Sequence, residues 1–156
     1  MYEVKDGSRT LQFSGSLLSE SSSWRPDSLR WIEFQLYKTE SGSYIISRVG
    51  VSVVYHGAAC ELVSKYKLNE STPETLRDNA VPCRECLPSR SLPFVFPEKD
   101  RTWAHVTDKP GDVMDALYKQ DPGGSLYLTN VAKRLLEKAS DRDDQLDMVY
   151  RLEIIP

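Results

Sequence analysis

The sequence predicts an α+β fold, and three observations along its 156 residues lead to that class. In the first third, apolar and polar residues alternate over short runs, a period typical of β-strands. In the middle, all three cysteines and one of the two histidines lie within residues 55–88. In the last third, apolar residues recur at helical spacing. We therefore expect an N-terminal antiparallel β-meander, a central metal-binding lobe, and C-terminal helices with a closing strand.

The predicted meander occupies the residues up to 55. Its strands are expected at residues 10–18, 30–39, 44–48 and 51–55, with a bend at Gly50. Residues 40–43 contain a glycine, which tolerates positive φ, and are predicted to form a hairpin turn. The serine-rich residues 19–23 are predicted to be a polar loop. Three aromatic side chains are expected to pack in the core or on a sheet face, rather than to stack on nucleic-acid bases: Trp24, Trp31 and Phe34.

The last third predicts two helices and a strand. Residues 108–112 predict a helix start at which Asp108 or Asp112 accepts hydrogen bonds from free N–H groups. Thr129 is predicted to cap a second helix, whose apolar stripe comprises Val131, Leu135, Leu136 and Ala139. The acidic residues 140–145 lack the glycine and glutamate of an EF-hand loop, which favours a solvated turn over a calcium site. Residues 148–155 are predicted to form the closing strand.

The central stretch contains four donors that a tetrahedral zinc ion takes. They form two close pairs, His56-x3-Cys60 and Cys83-x2-Cys86. Each spacing places both members of a pair on one tight turn, so both can bind the same ion. The sequence therefore predicts a structural Zn²⁺ site with the ligands His56, Cys60, Cys83 and Cys86. His105, the other histidine, is an alternative fourth ligand, but its distance along the chain from Cys86 matches no known spacing.

Two other readings of the cysteines are possible: a redox pair and inert buried thiols. A thioredoxin-like CxxC opens a helix after a strand. Here Pro82 precedes the pair and Pro88 follows it, which favours a rigid loop instead. The odd number of cysteines also argues against a disulfide framework of the secreted type.

Residues 55–88 resemble the Ada-type zinc-binding motif. The resemblance rests on Tyr55-His56-x3-Cys60, on Ala80, and on Pro82-Cys83-x2-Cys86-x-Pro88. This motif occurs in bacterial DNA alkylation-repair proteins and, with histidine in first place, as a small zinc module of bacterial and phage proteins. In the repair proteins the first ligand is a cysteine that accepts a methyl group from DNA. Because His56 stands there, the resemblance implies the zinc site and not methyl transfer.

Charge distribution limits the class of partner. The net charge is −3, and no block of basic residues of the kind typical of nucleic-acid modules is present. Scattered basic residues near the zinc ligands are the candidates for contacts with nucleic acid or a partner: Lys65, Lys67, Arg77, Arg84 and Arg90.

Catalytic and membrane classes have little support in the sequence. The sequence has no GxSxG, P-loop, GxGxxG or HExxH motif. Four ligands at structural spacing predict a closed metal site, whereas a catalytic zinc keeps one position open. No run approaches eighteen consecutive apolar residues, and the first residues contain no apolar signal core, so a cytoplasmic protein is expected.

One domain over residues 1–156 is predicted, with a sheet part at 1–55, an Ada-like zinc lobe at 55–88 and an α/β remainder at 89–156 that packs on the sheet. The function expected is a non-catalytic, zinc-stabilised binding or adaptor module for a protein partner, an accessory protein of a bacterial or phage system. The first alternative is a nucleic-acid-binding accessory protein, and the second is a zinc- or thiol-dependent enzyme.

Overall fold

The computed structural model describes the backbone of residues 1–56, 81–82 and 94–156, and the side chains of these residues except 54–56, 81–82, 94–98 and 100. The chain divides into two compact units. The first comprises Met1–Ser23, Ile32–Val49 and Arg101–Pro156, and the second comprises Trp24–Trp31 and Gly50–Asp100.

The described residues form nine strands and three helices. In chain order these are β1 (Tyr2–Asp6), β2 (Arg9–Phe13), β3 (Gly15–Ser22), β4 (Arg30–Thr39), β5 (Tyr44–His56), β6 (Val81–Pro82), β7 (Phe94–Thr107), α1 (Pro110–Leu117), β8 (Lys119–Gln120), β9 (Leu126–Tyr127), α2 (Asn130–Ser140) and α3 (Asp144–Tyr150). Among them, no helix is long and apolar enough to cross a membrane.

Strands followed by helices confirm the α+β class and the N-terminal meander. β1 pairs with β2 as a separate antiparallel hairpin, and β8 pairs with β9 as another. In the main sheet the strand order is β3-β4-β5-β6, and β7 also pairs with β5. β3 is antiparallel to β4, whereas β6 is parallel to β5. β3 therefore lies at one edge of the main sheet.

The hairpin turn between β4 and β5 is confirmed at residues 40–43. Gly42 has a φ of +90°, which a residue without Cβ adopts at little cost. Its N–H donates to the carbonyl of Thr39, and the N–H of Thr39 donates to the carbonyl of Ser43 at 2.8 Å. These bonds close the turn and lead the chain from β4 into β5.

The predicted polar loop at residues 19–23 is wrong, because β3 continues to Ser22. Ser19 and Ser21 are buried in this strand. The Ser19 hydroxyl donates to the carbonyl of Leu135 at 2.8 Å. A hydroxyl with such a partner can be buried at little cost. Hydropathy alternation cannot reveal this strand, because its inward-facing residues are polar.

Other parts of the first third also differ from the prediction. The single strand expected at residues 10–18 is two strands that break at Ser14, and β1 is not predicted at all. β5 continues through Gly50 without interruption. The packing expected for the aromatic residues holds for Phe34, which is buried, and fails for Trp24, which is 54% exposed. Trp31 is partly buried.

The helices cover one face of the sheet in the first unit. Thr129 caps α2 as predicted, since its Oγ1 accepts from the N–H of Ala132 at 3.2 Å. The apolar faces of α1, α2 and α3 join residues of β3, β4 and β5 in one core cluster, whose fully enclosed members include Leu36, Tyr44, Ile46, Val113, Leu135, Leu136 and Leu146. Burial of these side chains is the main favourable contribution to the stability of this unit.

The β1–β2 hairpin covers the opposite face. Tyr37 and Ile45 follow Leu36 and Tyr44 by one residue, so they point to the other side of the sheet. The ring of Tyr37 lies 4.8 Å from that of Tyr2, measured between centroids. The first unit is thus a sheet with helices on one side and a two-stranded hairpin on the other.

The aspartate cap predicted for α1 is wrong, although the helix is present. Lys109 occupies the N-cap position without a side-chain cap. Thr107 Oγ1 accepts from the N–H of Lys109 and donates to Asp112 Oδ2 at 2.9 Å, and no capping bond from Asp108 is seen at this helix start. Pro110 has the fixed φ of a first helical residue, which favours helix initiation here.

The closing strand predicted at residues 148–155 is also wrong. The helix α3 covers Asp144–Tyr150, and residues 152–156 follow it without regular secondary structure. Asp143 is the N-cap, and its carboxylate accepts from the N–H groups of Gln145 and Leu146. Leu146 is fully buried. This cap and this anchor favour a helix over the β-propensity of the apolar residues near the C-terminal end.

Replacing Gly15 by alanine is expected to lower the free energy of unfolding by about 1–3 kcal/mol. A Cβ at Gly15 would overlap the Lys38 carbonyl oxygen and lie 2.7 Å from Thr39 Cα, so β3 and β4 would have to separate. Gly111→Ala is the matched control, because a Cβ there meets nothing within 4 Å. Urea unfolding of both variants is the measurement, and equal midpoints would contradict the prediction.

Candidate functional site

The two strands β5 and β6 pair at residues that directly precede His56 and Cys83 in the sequence. β6 pairs with β5 in parallel, with Val54 opposite Val81 and Tyr55 opposite Pro82. His56 follows Tyr55 and is the last residue of β5, and Cys83 follows Pro82. His56 therefore directly follows Tyr55, and Cys83 directly follows Pro82, the two residues that lie opposite each other in this strand pair.

The other predicted contacts lie outside the described residues. For His56 the structure describes the backbone and not the side chain. Cys60, Cys83 and Cys86 lie outside the described ranges. The same holds for the basic residues predicted to contact nucleic acid or a partner, namely Lys65, Lys67, Arg77, Arg84 and Arg90.

The solvated turn predicted at residues 140–145 is wrong at Asp143, because this side chain is buried.

His105, the alternative ligand, lies on β7 in the first unit. Its imidazole stacks on the indole of Trp103, with ring centroids 5.9 Å apart and planes inclined by 7°. Among residues with described side chains, no group of three or more His, Cys, Asp or Glu residues is placed to hold a metal ion.

The donor set of the central stretch fits zinc on chemical grounds. One imidazole and three thiols are the ligands of a structural Cys₃His site. The residue before His56, Tyr55, lies opposite the residue before Cys83, Pro82. His56, Cys60, Cys83 and Cys86 would hold the ion, which would join the two chain segments that carry them.

A buried ion pair joins the sheet to α3 in the first unit. Lys38 Nζ lies 2.8 Å from Asp143 Oδ2, and the Asp143 side chain is only 2% exposed. Lys38 also donates to the Tyr44 hydroxyl at 3.4 Å and lies 5.1 Å from the centre of that ring. The Tyr44 hydroxyl donates in turn to Gln145. These contacts attach the start of α3 to β4 and β5.

The protonation states of this network are held in their charged forms. Burial alone would raise the pKa of Asp143, but hydrogen bonds from Lys38 and from the N–H of Leu146 outweigh it and lower that pKa. The hydrogen bond to Asp143 raises the pKa of Lys38. Both groups therefore stay ionised across the neutral range, which suits an ion pair and not proton exchange.

A second cluster lies where α2 meets the outer edge of β3. Three basic side chains, which we call the basic row, donate to carbonyls of β3: Arg134 to Ser22, Lys138 to Glu20 and Arg142 to Leu17. Arg134 and Lys138 lie on α2, whereas Arg142 lies two residues beyond its end. The strand that Arg134 and Lys138 reach is predicted there to be a loop. Their spacing of four residues was the available signal, since it puts both on one side of a helix.

Two open grooves flank the basic row. The first groove has a volume of about 380 Å³ and is lined by residues that include Leu17, Glu20 and Arg142. The other, of about 360 Å³, is lined by residues that include Ser22, Glu33 and Gln35. Lys138 borders both grooves. Because its amino group bonds to the Glu20 carbonyl, its side chain lies between the two grooves.

Comparison with known proteins finds no matching family model, no matching curated protein and no matching solved structure.

Proposed function

We infer that the chain is a non-catalytic, zinc-stabilised module that binds a protein partner. The observation that carries this proposal is the parallel pairing of Tyr55 with Pro82, each of which directly precedes a predicted zinc ligand. Structural zinc sites of two ligand pairs need just such an approach of two chain segments.

The length of β6 supports the same proposal. β6 contains only two residues, Val81 and Pro82, and proline lacks an N–H donor. So short a strand contributes little binding of its own to β5. A metal ion bound by residues adjacent to both strands would supply the missing stabilisation.

The directions in which the pKa values of the described titratable side chains move favour a binding role over a catalytic one. The resolved pKa shifts lower the pKa of Asp6 and Asp143, and raise the pKa of Lys38 and of three tyrosines. All of them move away from neutral pH, whereas a general acid or base has a pKa near the working pH. The net charge of −3 favours a protein over nucleic acid.

The purified protein is expected to contain one zinc ion per chain. Metal analysis after dialysis should give this ratio for the wild type and a large loss for Cys83→Ser and His56→Gln. His105→Gln is the matched control and should keep the full zinc content. If His105→Gln loses zinc and His56→Gln keeps it, the fourth ligand is His105 and not His56. A wild type without metal would refute the zinc site.

The nucleic-acid alternative differs from the protein-binding proposal in its response to salt. Binding to phosphates releases counterions, so affinity for a DNA oligonucleotide would fall steeply between about 50 and 200 mM salt. Binding of a protein partner through an uncharged surface would change little over this range. Titration of an oligonucleotide at both salt concentrations separates the two, and no binding at the lower concentration excludes the alternative.

A further inference from the structure

We propose that the outer edge of β3, between Leu17 and Ser22, which pairs with no further strand among the described residues, binds an extended acidic peptide segment of a protein partner, which adds to the sheet as a strand. This inference rests on the proposed protein-binding function and names the chemistry of the partner. It does not depend on the zinc site, because β3 and α2 both belong to the first unit.

The basic row matches the strand edge in spacing. Residues four apart on a helix are about 6 Å apart along its axis, and residues two apart on a strand are about 6.7 Å apart. Arg134 and Lys138 accordingly reach Ser22 and Glu20, which are two apart. Arg142 reaches Leu17, three residues before Glu20, because a β-bulge between Leu17 and Ser19 inserts one residue. The row therefore follows the edge carbonyls along the strand.

Two of the three side chains of the basic row are bound to these carbonyls by long hydrogen bonds. The donor–acceptor distances are 3.3 Å for Lys138 and 3.4 Å for Arg142, whereas Arg134 donates at 3.0 Å. Arg134, Lys138 and Arg142 are all exposed. A carbonyl oxygen accepts a hydrogen bond without neutralising the charge of the donor, so a carboxylate is the stronger partner for each side chain.

A peptide strand supplies both groups that such an exchange requires. Its N–H groups replace the basic side chains as donors to the carbonyls of β3, as in other complexes formed by strand addition. Its carboxylates bind the side chains that are released. Alternate residues of a strand share one face, so a peptide with an acidic residue at every second position would present all its carboxylates to the row.

The edge carbonyls disfavour nucleic acid as the ligand. A phosphate backbone has no N–H groups to donate to the carbonyls of Leu17, Glu20 and Ser22, whereas a peptide strand has one on nearly every residue. The two grooves share Glu20 and Lys138 in their linings, so both lie along this edge.

The test uses a fluorescently labelled peptide of about ten residues that alternates glutamate with valine or threonine, titrated with the full chain. Wild type is expected to bind it, and Lys138→Glu is expected to weaken binding about tenfold or more. Lys133→Glu is the matched control, because Lys133 is exposed on the same helix and makes no contact with β3 among the described hydrogen bonds. Thermal unfolding checks that both variants fold.

Two further probes distinguish strand addition from attraction of charge. A peptide with N-methyl groups at alternate positions keeps its carboxylates and loses its donors, and it is expected to bind poorly. A single-stranded oligonucleotide of equal charge is expected to bind more weakly than the peptide. No peptide binding, equal loss in the Lys138 and Lys133 variants, or tighter binding of the oligonucleotide would overturn the proposal.

Zinc content measured on the same preparation separates this inference from the proposed function. Protein that contains zinc and does not bind the peptide refutes the strand-edge site alone. Protein that binds the peptide and contains no zinc supports the strand-edge site and refutes the zinc-stabilised module.

Discussion

Asp143→Ala is expected to lower the free energy of unfolding by about 4 kcal/mol, because this carboxylate has two structural tasks. It neutralises Lys38 at 2.8 Å in a site where the carboxylate is 2% exposed. It also accepts from the N–H groups of Gln145 and Leu146 at the start of α3. Without it, a partly buried ammonium group loses its counter-charge and the helix loses its cap. The loss is a large fraction of the roughly 5–15 kcal/mol of a typical domain.

Asp143→Asn separates the two tasks. The amide oxygen of asparagine can still cap α3, whereas it cannot neutralise Lys38, so a loss of about 2–3 kcal/mol is expected. Asp144→Asn is the control, since Asp144 is exposed one residue further along and its change should stay within about 0.5 kcal/mol. Urea denaturation measures all three variants. An Asp143→Ala value as small as that of the control would show that the ion pair contributes nothing.

The stability of the wild type should depend on Asp143 only above acidic pH. Its pKa is lowered from the ordinary value of 3.8, so its contribution is fully present above that value and is lost as pH falls through the folded pKa. The stability difference between wild type and Asp143→Asn should therefore narrow below pH 3.8. The pKa of Lys38 is raised from 10.5, so its contribution is present below that value and is lost only at still higher pH.

Removal of zinc is expected to have the largest effect of all on the part of the chain that carries the predicted ligands. A structural zinc ion contributes apparent binding free energy on the order of 10 kcal/mol, which is comparable with the stability of a whole domain. β6 pairs with β5 through only two residues, Val81 and Pro82, so this pairing by itself contributes little stability. A chelator should therefore lower the unfolding temperature of the wild type strongly, and it should have no effect on Cys83→Ser, which already lacks the ion.

Hydrogen exchange locates that effect. Exchange of the backbone amides at the end of β5, around Val54 and Tyr55, should become faster with chelator. Exchange in α2 serves as the internal reference, since α2 belongs to the first unit. Unchanged unfolding and unchanged exchange at Val54 and Tyr55 would contradict a structural role for zinc and would direct attention to the thiol chemistry of Cys83 and Cys86.

Much of the fold follows from signals between near neighbours in the sequence. The alternation at residues 30–39 predicts β4 with its observed bounds, and Gly42 predicts the turn that follows it. Thr129 and the apolar stripe after it predict α2 and its cap. The turn and α2 were predictable because their hydrogen bonds join near neighbours, and β4 was predictable because its own alternation marks it as a strand.

The candidate sites could be predicted only in part. The predicted ligand pairs His56–Cys60 and Cys83–Cys86 are visible as local spacings, but the pairing of Tyr55 with Pro82 is not, because parallel strands pair over a long stretch of chain. The part of the basic row that lies on α2, Arg134 and Lys138, is visible as a helical spacing. Its strand is not, because Ser19 and Ser21 take the buried positions that apolar residues usually occupy.

The sequence by itself determined the α+β class, the strand β4 and the helix α2, and it predicts the four zinc donors. Each depends on residue type and on spacing along a short stretch. Only the tertiary structure decided the helix at the C-terminal end, the ion pair of Lys38 with Asp143, and the position of the basic row along β3. Lys38 and Asp143 are 105 residues apart, and Arg142 and Leu17 are 125 apart. Such contacts depend on how sheet and helices pack, and packing is not encoded in any local period.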